Sequence, residues 1–179
     1  YDFTNGITGR VTGQYVERAP EAAELFSQGL HEATGTFEIG NPDLVKEKAR
    51  TVEVGLQKSG GNLRFDASAY YTQFVGFISK DLTGVKCGAT IDTCGLEDEL
   101  DQLRFEQRDA RFYGAEVAVQ YDVALIWNGV WGIEGQYDFV NARFSDGENV
   151  PRIPPHRLGG GLYYRDANWV ARTFFLHAF

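Results

Sequence analysis

Methionine is absent from the 179 residues. No charged-then-apolar segment opens the chain, so neither an initiator nor a signal peptide is expected within it, and its first residue is expected to lie inside a longer protein. No run of about 18 apolar residues occurs, which excludes a transmembrane helix. Clusters of basic residues are missing too. Lys and Arg number 17 against 25 Asp and Glu, for a formal net charge of −8. A phosphate backbone is held by clustered Lys and Arg, so no nucleic-acid partner is expected. There is no Gly-rich phosphate loop, no His-Glu-x-x-His and no nucleophile elbow. The 3 histidines are scattered. They give no Ser–His or Asp–His constellation, and an enzyme is not expected.

Glycine (21 residues) and aromatics (14%) are abundant, while mean hydropathy is only −0.31. A helical membrane protein would not show that value. A membrane barrel can, because half of each strand faces a polar interior. Alternation at period 2 is the dominant signal. Ile7, Val11 and Tyr15 oppose Thr8, Arg10, Thr12 and Gln14. Val52, Val54 and Leu56 oppose Glu53 and Gln57. Leu63, Phe65, Ala67, Ala69, Tyr71, Val75 and Phe77 form an apolar face opposite Arg64, Asp66, Ser68, Tyr70 and Thr72. Tyr113 to Tyr121 and Trp131 to Phe139 repeat the pattern, Leu158 to Tyr164 is a shorter version, and Trp169 to Phe179 is a last candidate. Most spans reach the roughly 9 residues that a tilted strand needs to cross a bilayer. Several apolar faces end in Tyr, Trp or Phe, as interfacial girdles do.

Connections alternate long and short. Ser59–Asn62, Asp122–Asn128 and Asp166–Asn168 are short. Glu17 to Lys48, Asp81 to Arg108 and Asn141 to Pro155 are long. Outer-membrane barrels pair short periplasmic turns with long external loops, and a soluble sandwich has no reason to. The fold class expected is therefore all-β: a transmembrane antiparallel β-barrel, of which about seven strands are present. An odd count does not close a bacterial barrel, and an open edge is not tolerated in lipid. The chain is thus expected to be a fragment of a larger barrel, with Phe179 a truncation point rather than an aromatic C-terminus.

The longest stretch without a strand pattern, Glu17 to Leu44, is expected to be an external, ligand-facing loop. It holds His31 and Glu32. Imidazole and carboxylate suit zinc, and an axial histidine suits haem iron. Zinc needs three or four ligands, so Glu38 and Asp43 of the same loop are candidates to join them. The alternative is that His31 packs against its own loop and binds nothing. Cys87 and Cys94 have no partner pair, which favours a disulfide stapling the second loop over a zinc site. Acidic residues Asp92, Glu97, Asp98, Glu99 and Asp101 lie beside it; they would draw cations electrostatically or simply solvate the loop. His156 and His177 read as structural. Inward Arg10, Glu53, Arg64, Asp66, Glu116, Glu134 and Asp138 read as a polar lumen wall.

The stretch Glu17-Arg18-Ala19-Pro20, Glu24-Leu25-Phe26, Gly29-Leu30-His31, Ala33 to Gly40 and Asn41-Pro42-Asp43-Leu44 resembles the TonB-dependent outer-membrane receptors. The resemblance continues through Val52-Glu53-Val54-Gly55-Leu56, Ala69-Tyr70-Tyr71, Ala110 to Glu116 and Ile153 to Gly161. Its nearest branch resembles the ZnuD-type zinc receptors, and the Arg-Ala-Pro and Asn-Pro-Asp-Leu boxes are also similar to those of haem receptors. The resemblance implies a 22-stranded barrel in the outer membrane of a Gram-negative bacterium, an N-terminal plug inside it and TonB on the periplasmic side. Residues 1–179 would form part of the barrel domain, in contact with outer-membrane lipid, with no plug and no TonB-contacting segment. It further implies active uptake of a metal or metal complex. Zinc is favoured, with haem or a ferric siderophore as the alternative and no permanently bound cofactor. A passive porin and an outer-membrane barrel enzyme are the readings from other classes.

Overall fold

The computed structural model describes residues 1–3, 6–95 and 99–179. Among the described residues nine strands form one sheet: β1 (Ile7–Arg18), β2 (Gln28–His31), β3 (Thr36–Ile39), β4 (Glu47–Lys58), β5 (Leu63–Cys87), β6 (Leu100–Ile126), β7 (Gly129–Phe144), β8 (Arg157–Arg165) and β9 (Val170–Ala178). Seven of them make a continuous antiparallel wall in the order β1-β4-β5-β6-β7-β8-β9, as the alternating segments require. The ladder aligns their faces. Val11, Val54, Ala69, Ala115 and Phe139 form one cross-strand row, and Arg10, Gly55, Ser68, Glu116, Asp138 and Arg157 form another on the opposite side. Val54, Leu56, Val117, Ile133 and Leu162 stay exposed on the apolar face. A contiguous apolar surface of that extent fits lipid and not water.

The polar face is satisfied by ion pairs across strands. Arg10 approaches Glu53 (3.6 Å) and Asp66 (4.0 Å), Arg157 pairs with Asp138 (2.9 Å), and Arg172 pairs with Glu134. Arg64 grips Asp122 (2.7 Å) and also reaches the hydroxyl of Tyr163 (2.9 Å). These residues span seven strands; most pairs join neighbouring or next-neighbouring strands, and Arg64 on β5 reaches Tyr163 on β8 across β6 and β7.

Short turns close one end of the wall. The β6–β7 turn is only Trp127 and Asn128, both left-handed (φ 55° and 60°), the geometry of a two-residue hairpin whose twist matches its strands. The expected connection from Asp122 is therefore mostly strand. Trp127, Trp131 and Tyr164 stack beside that turn.

The other end departs from the sequence reading in three ways. The second long connection is largely a hairpin, because β5 runs on to Cys87 and β6 begins at Leu100. Long-range pairing overrides a composition that reads as loop. The first connection is not strandless: it carries helix α1 (Ala22–Phe26) and the β2–β3 hairpin, and β3 adds in parallel to β6, pairing Thr36–Ile39 with Asp101–Arg104. Phe77 does not share the lipid face. A bulge at Val75 and Gly76 shifts the register, and Phe77 joins Phe74 and Phe112 on the inward side at 5.1 Å from each.

Burial concentrates at this end. Ala110, Ala142, Phe144 and Val150, with Phe74, Phe77, Phe112 and Ile153 against them, form one cluster. Leu44, Ile78 and Phe105, with Leu25, form a second. Register puts Phe77 and Arg108 on one side of the β5–β6 hairpin and Ile78 and Phe105 on the other. The third long connection thus folds over the inner side, while the first straps the outer side.

Candidate functional site

The first connection is a folded unit built from its own sequence. Glu21 and Glu24 form a reciprocal capping box on α1, which holds a five-residue helix too short to persist alone. Arg18, at the end of β1, binds Glu24 (2.9 Å) and reaches Glu47 at the start of β4 (3.5 Å), drawing the two ends of the connection together. The Gly40-Asn41 N–H groups donate to the Ser27 and Glu24 carbonyls (2.7 and 2.8 Å). Gly40 has no alternative here, since a Cβ would lie 2.5 Å from the backbone of Leu25 and Phe26. Gln107 then fastens the unit to the wall: its amide oxygen accepts from Val45 N–H (3.0 Å), and its amide nitrogen donates to the carbonyls of Val45 (2.8 Å) and Gly76 (2.7 Å).

Within this unit His31 and Glu38 come together. The two strands of the hairpin pair His31 with Thr36 and Gly29 with Glu38. His31 Nδ1 lies 2.8 Å from Thr34 Oγ1 and 4.0 Å from Glu38 Oε1. Glu38 is only 5% exposed, and its Oε1 accepts from Lys80 Nζ at 2.6 Å. Lys80 also sits 5.0 Å over the Phe105 ring. The buried carboxylate thus has a resident ammonium, and a metal ion bound between His31 and Glu38 would displace it. Glu32 is exposed in the turn after His31, and Asp43 is exposed in a turn whose N–H donates to Asn41 Oδ1 (3.0 Å). Among the described residues no three His, Cys, Asp or Glu side chains gather into a metal-binding group.

At the hairpin tip Cys87 and Cys94 are joined in a disulfide. Gln102 N–H groups point to both sulfurs (3.3 and 3.4 Å), and Thr83 Oγ1 donates to the Gln102 oxygen (2.8 Å). Of the acidic set, Asp101 pairs with Lys86 (3.1 Å), Asp92 and Glu99 are exposed, and Glu97 and Asp98 lie outside the described residues. The surrounding carboxylates are partly neutralised as well: Glu106 by Arg104 (3.3 Å) and Asp81 by Arg108 (2.7 Å). Arg108 also holds Glu148 (2.8 Å) and Asp146 (3.2 Å) from the third connection and stacks 3.6 Å over Phe144.

Lys80, Gln102, Gln107 and Arg108 were not visible as site residues in the sequence. Lys80, Gln107 and Arg108 act on partners 27 to 62 residues away and Gln102 on partners 8 to 19 residues away, and strand register brings them together. His156 lies 3.0 Å from the Tyr137 hydroxyl and stacks near Phe139, and His177 stacks on Phe179 at 4.9 Å.

The family model for the β-barrel of TonB-dependent receptor-like proteins matches residues 1–178. Among solved structures the chain is similar to the copper transporter OprC, with a TM-score of 0.74 and 24% identity over 98% of this chain and 24% of that one. It is also similar to the outer membrane transporter YddB from Escherichia coli (TM-score 0.52, 11% identity, 94% of this chain and 26% of that one). A third is the siderophore receptor PirA from Pseudomonas aeruginosa (TM-score 0.50, 13% identity, 95% of this chain and 32% of that one). At these identities the likeness is one of fold, and the chain spans only a quarter to a third of each protein's length.

Proposed function

Because the chain belongs to the TonB-dependent receptor β-barrel family, and so to a barrel wall of the Gram-negative outer membrane, we propose that it is part of a receptor for active uptake of a metal ion or metal complex. The observation that carries the reading is the folded first connection, which holds His31 within 4.0 Å of the buried Glu38 carboxylate at the end of the wall that bears the long connections. Capture would take place on the external connections, and release would be driven by TonB acting on parts of the protein beyond this chain.

Zinc is the ion that a neutral imidazole and a carboxylate suit best. With two such groups in contact, this chain supplies part of a coordination shell, and Glu32, Asp43 or the remainder of the receptor would complete it. Haem or a ferric siderophore is the second reading, since a lone histidine can serve as an axial ligand to haem iron. A copper transporter and a siderophore receptor among the structural neighbours support a metal-bearing cargo in general terms.

The test is isothermal titration of the full-length receptor in detergent with zinc, cupric ion and haemin, each repeated with His31→Ala. Zinc binding that weakens about tenfold or more in the variant, the loss of one good ligand, supports the reading. Haemin binding with no zinc response moves the cargo to haem. No binding of any of them removes the proposed site and leaves the family assignment standing.

A further inference from the structure

The sequence contains no basic cluster, yet the ladder makes one. Pairing places Tyr15 opposite Arg50, Arg50 opposite Gln73, Gln73 opposite Arg111 and Arg111 opposite Arg143. These five residues form a single row across β1, β4, β5, β6 and β7. The row is on the apolar side of the wall, one step toward the long connections from the row that holds Val52, Tyr71, Tyr113 and Asn141. Arg50, Arg111 and Arg143 are all exposed, and among the described residues none of the three has an ion pair. Carboxylates on the same face are already engaged: Glu17 by Lys46 (2.8 Å) and by the Tyr15 hydroxyl (2.8 Å), and Asp109 by the Gly76 N–H (2.8 Å).

Arg111 and Arg143 sit directly opposite each other, about 5 Å apart at their Cα atoms, and Arg50 is two strand spacings away, roughly 10 Å. Like charges directly opposite on a sheet destabilise it. Among the described residues no carboxylate forms an ion pair with Arg111 or Arg143, so an anion from outside would relieve their repulsion. Below the row lie the tyrosines of an interfacial girdle and then the apolar band, so the guanidinium groups stand at the height of the lipid headgroups. Guanidinium forks match phosphate oxygens bidentately.

We propose that Arg50, Arg111 and Arg143 form a docking row for the phosphate groups of anionic outer-leaflet lipid. The row works on the outer side of the wall and is independent of the cargo; it rests on the family's placement in the outer membrane, not on the identity of the transported metal.

The test uses the full-length receptor in neutral detergent, with lipid A (a diphosphorylated glycolipid), phosphatidylcholine or inorganic pyrophosphate added, and retained lipid read by native mass spectrometry. Wild type is compared with the triple variants Arg50→Gln, Arg111→Gln, Arg143→Gln and Arg50→Lys, Arg111→Lys, Arg143→Lys; heat-shifted gel mobility confirms that each barrel is folded. The expectation is preferential retention of lipid A, a roughly 100-fold loss in the Gln variant from about 1 kcal/mol per surface cation, and substantial rescue in the Lys variant. Equal lipid A retention by wild type and the Gln variant overturns the proposal. So does absence of lipid A binding, retention of phosphatidylcholine to the same level, or binding of pyrophosphate as tight as that of lipid A, which would make the row a site for free anions.

Discussion

Lys80 holds the one carboxylate of the candidate site that is out of water. Replacing it by Ala strands Glu38, and the expected cost is about 3 kcal/mol, typical of removing one partner of a largely buried pair. Thermal unfolding followed by circular dichroism measures it, and adding Glu38→Gln should recover part of the loss; full additivity of the two would show that the pair is not coupled. Gly132 is a second single-residue dependency. A Cβ there would lie 2.1 Å from Tyr163 Cζ, and Tyr163 shares its hydroxyl with Arg64 and Asp122. Gly132→Ala is expected to expel the ring and lower stability by roughly 1–3 kcal/mol, checked by the same melt; an unchanged melt would mean that the ring moves aside without loss. At this scale the sequence was half legible. His31 and Glu38 stood out by residue type, but Lys80, which decides the state of Glu38, lies on a distant strand and looked like any solvated lysine.

Among the elements, strands were the most legible part and connections the least. Period-2 alternation marks a strand that has one wet and one apolar face, which is why seven segments were readable. Beyond the membrane both faces of β5 and β6 are covered or wet, the alternation fades, and the hairpin extension looked like loop. Gly76 shows a related blind spot. Its left-handed φ of 67° permits the bulge that turns Phe77 inward, and no residue pattern distinguishes that glycine from others. The disulfide at the hairpin tip closes a loop with a sequence separation of 7. Chain entropy for such a loop is worth about 2.5 kcal/mol. Reduction is therefore expected to increase protease cleavage within residues 88–93 while the wall stays resistant; an unaltered digestion pattern would show that Gln102 and its neighbours hold the tip without the bond. The β8–β9 turn has its own pH dependence. The Asp166 carboxyl is held below its usual value first by the Tyr164 hydroxyl, then by the Asn168 and Trp169 N–H groups. A lowered folded value means that its contribution is present above the ordinary carboxylate range, near pH 4. That contribution is lost as pH falls through the lower folded value. Amide exchange at Asn168 and Trp169, corrected for intrinsic rates, should show weakened protection at acid pH, and Asp166→Asn should abolish the dependence.

Taken whole, the molecule is a wall with two different sides, and both were foreseeable from alternation alone, whereas what gathers on each side was not. The arginine row illustrates the reason: its members are separated by dozens of residues, and their adjacency exists only in the register. The parallel pairing of β3 with β6 belongs to the same class, and it bears on how the protein is made. Residues 36–39 pair locally with residues 28–31, but their second edge has no partner until residues 101–104 exist and β6 has settled beside β5. Pairing across so long a stretch of chain is slow compared with local hairpins. The docked form of the first connection is consequently expected to appear late in folding. Only a wall already assembled through β6 can hold that connection in its docked form, so a chain arrested before β6 would carry the β2–β3 hairpin undocked.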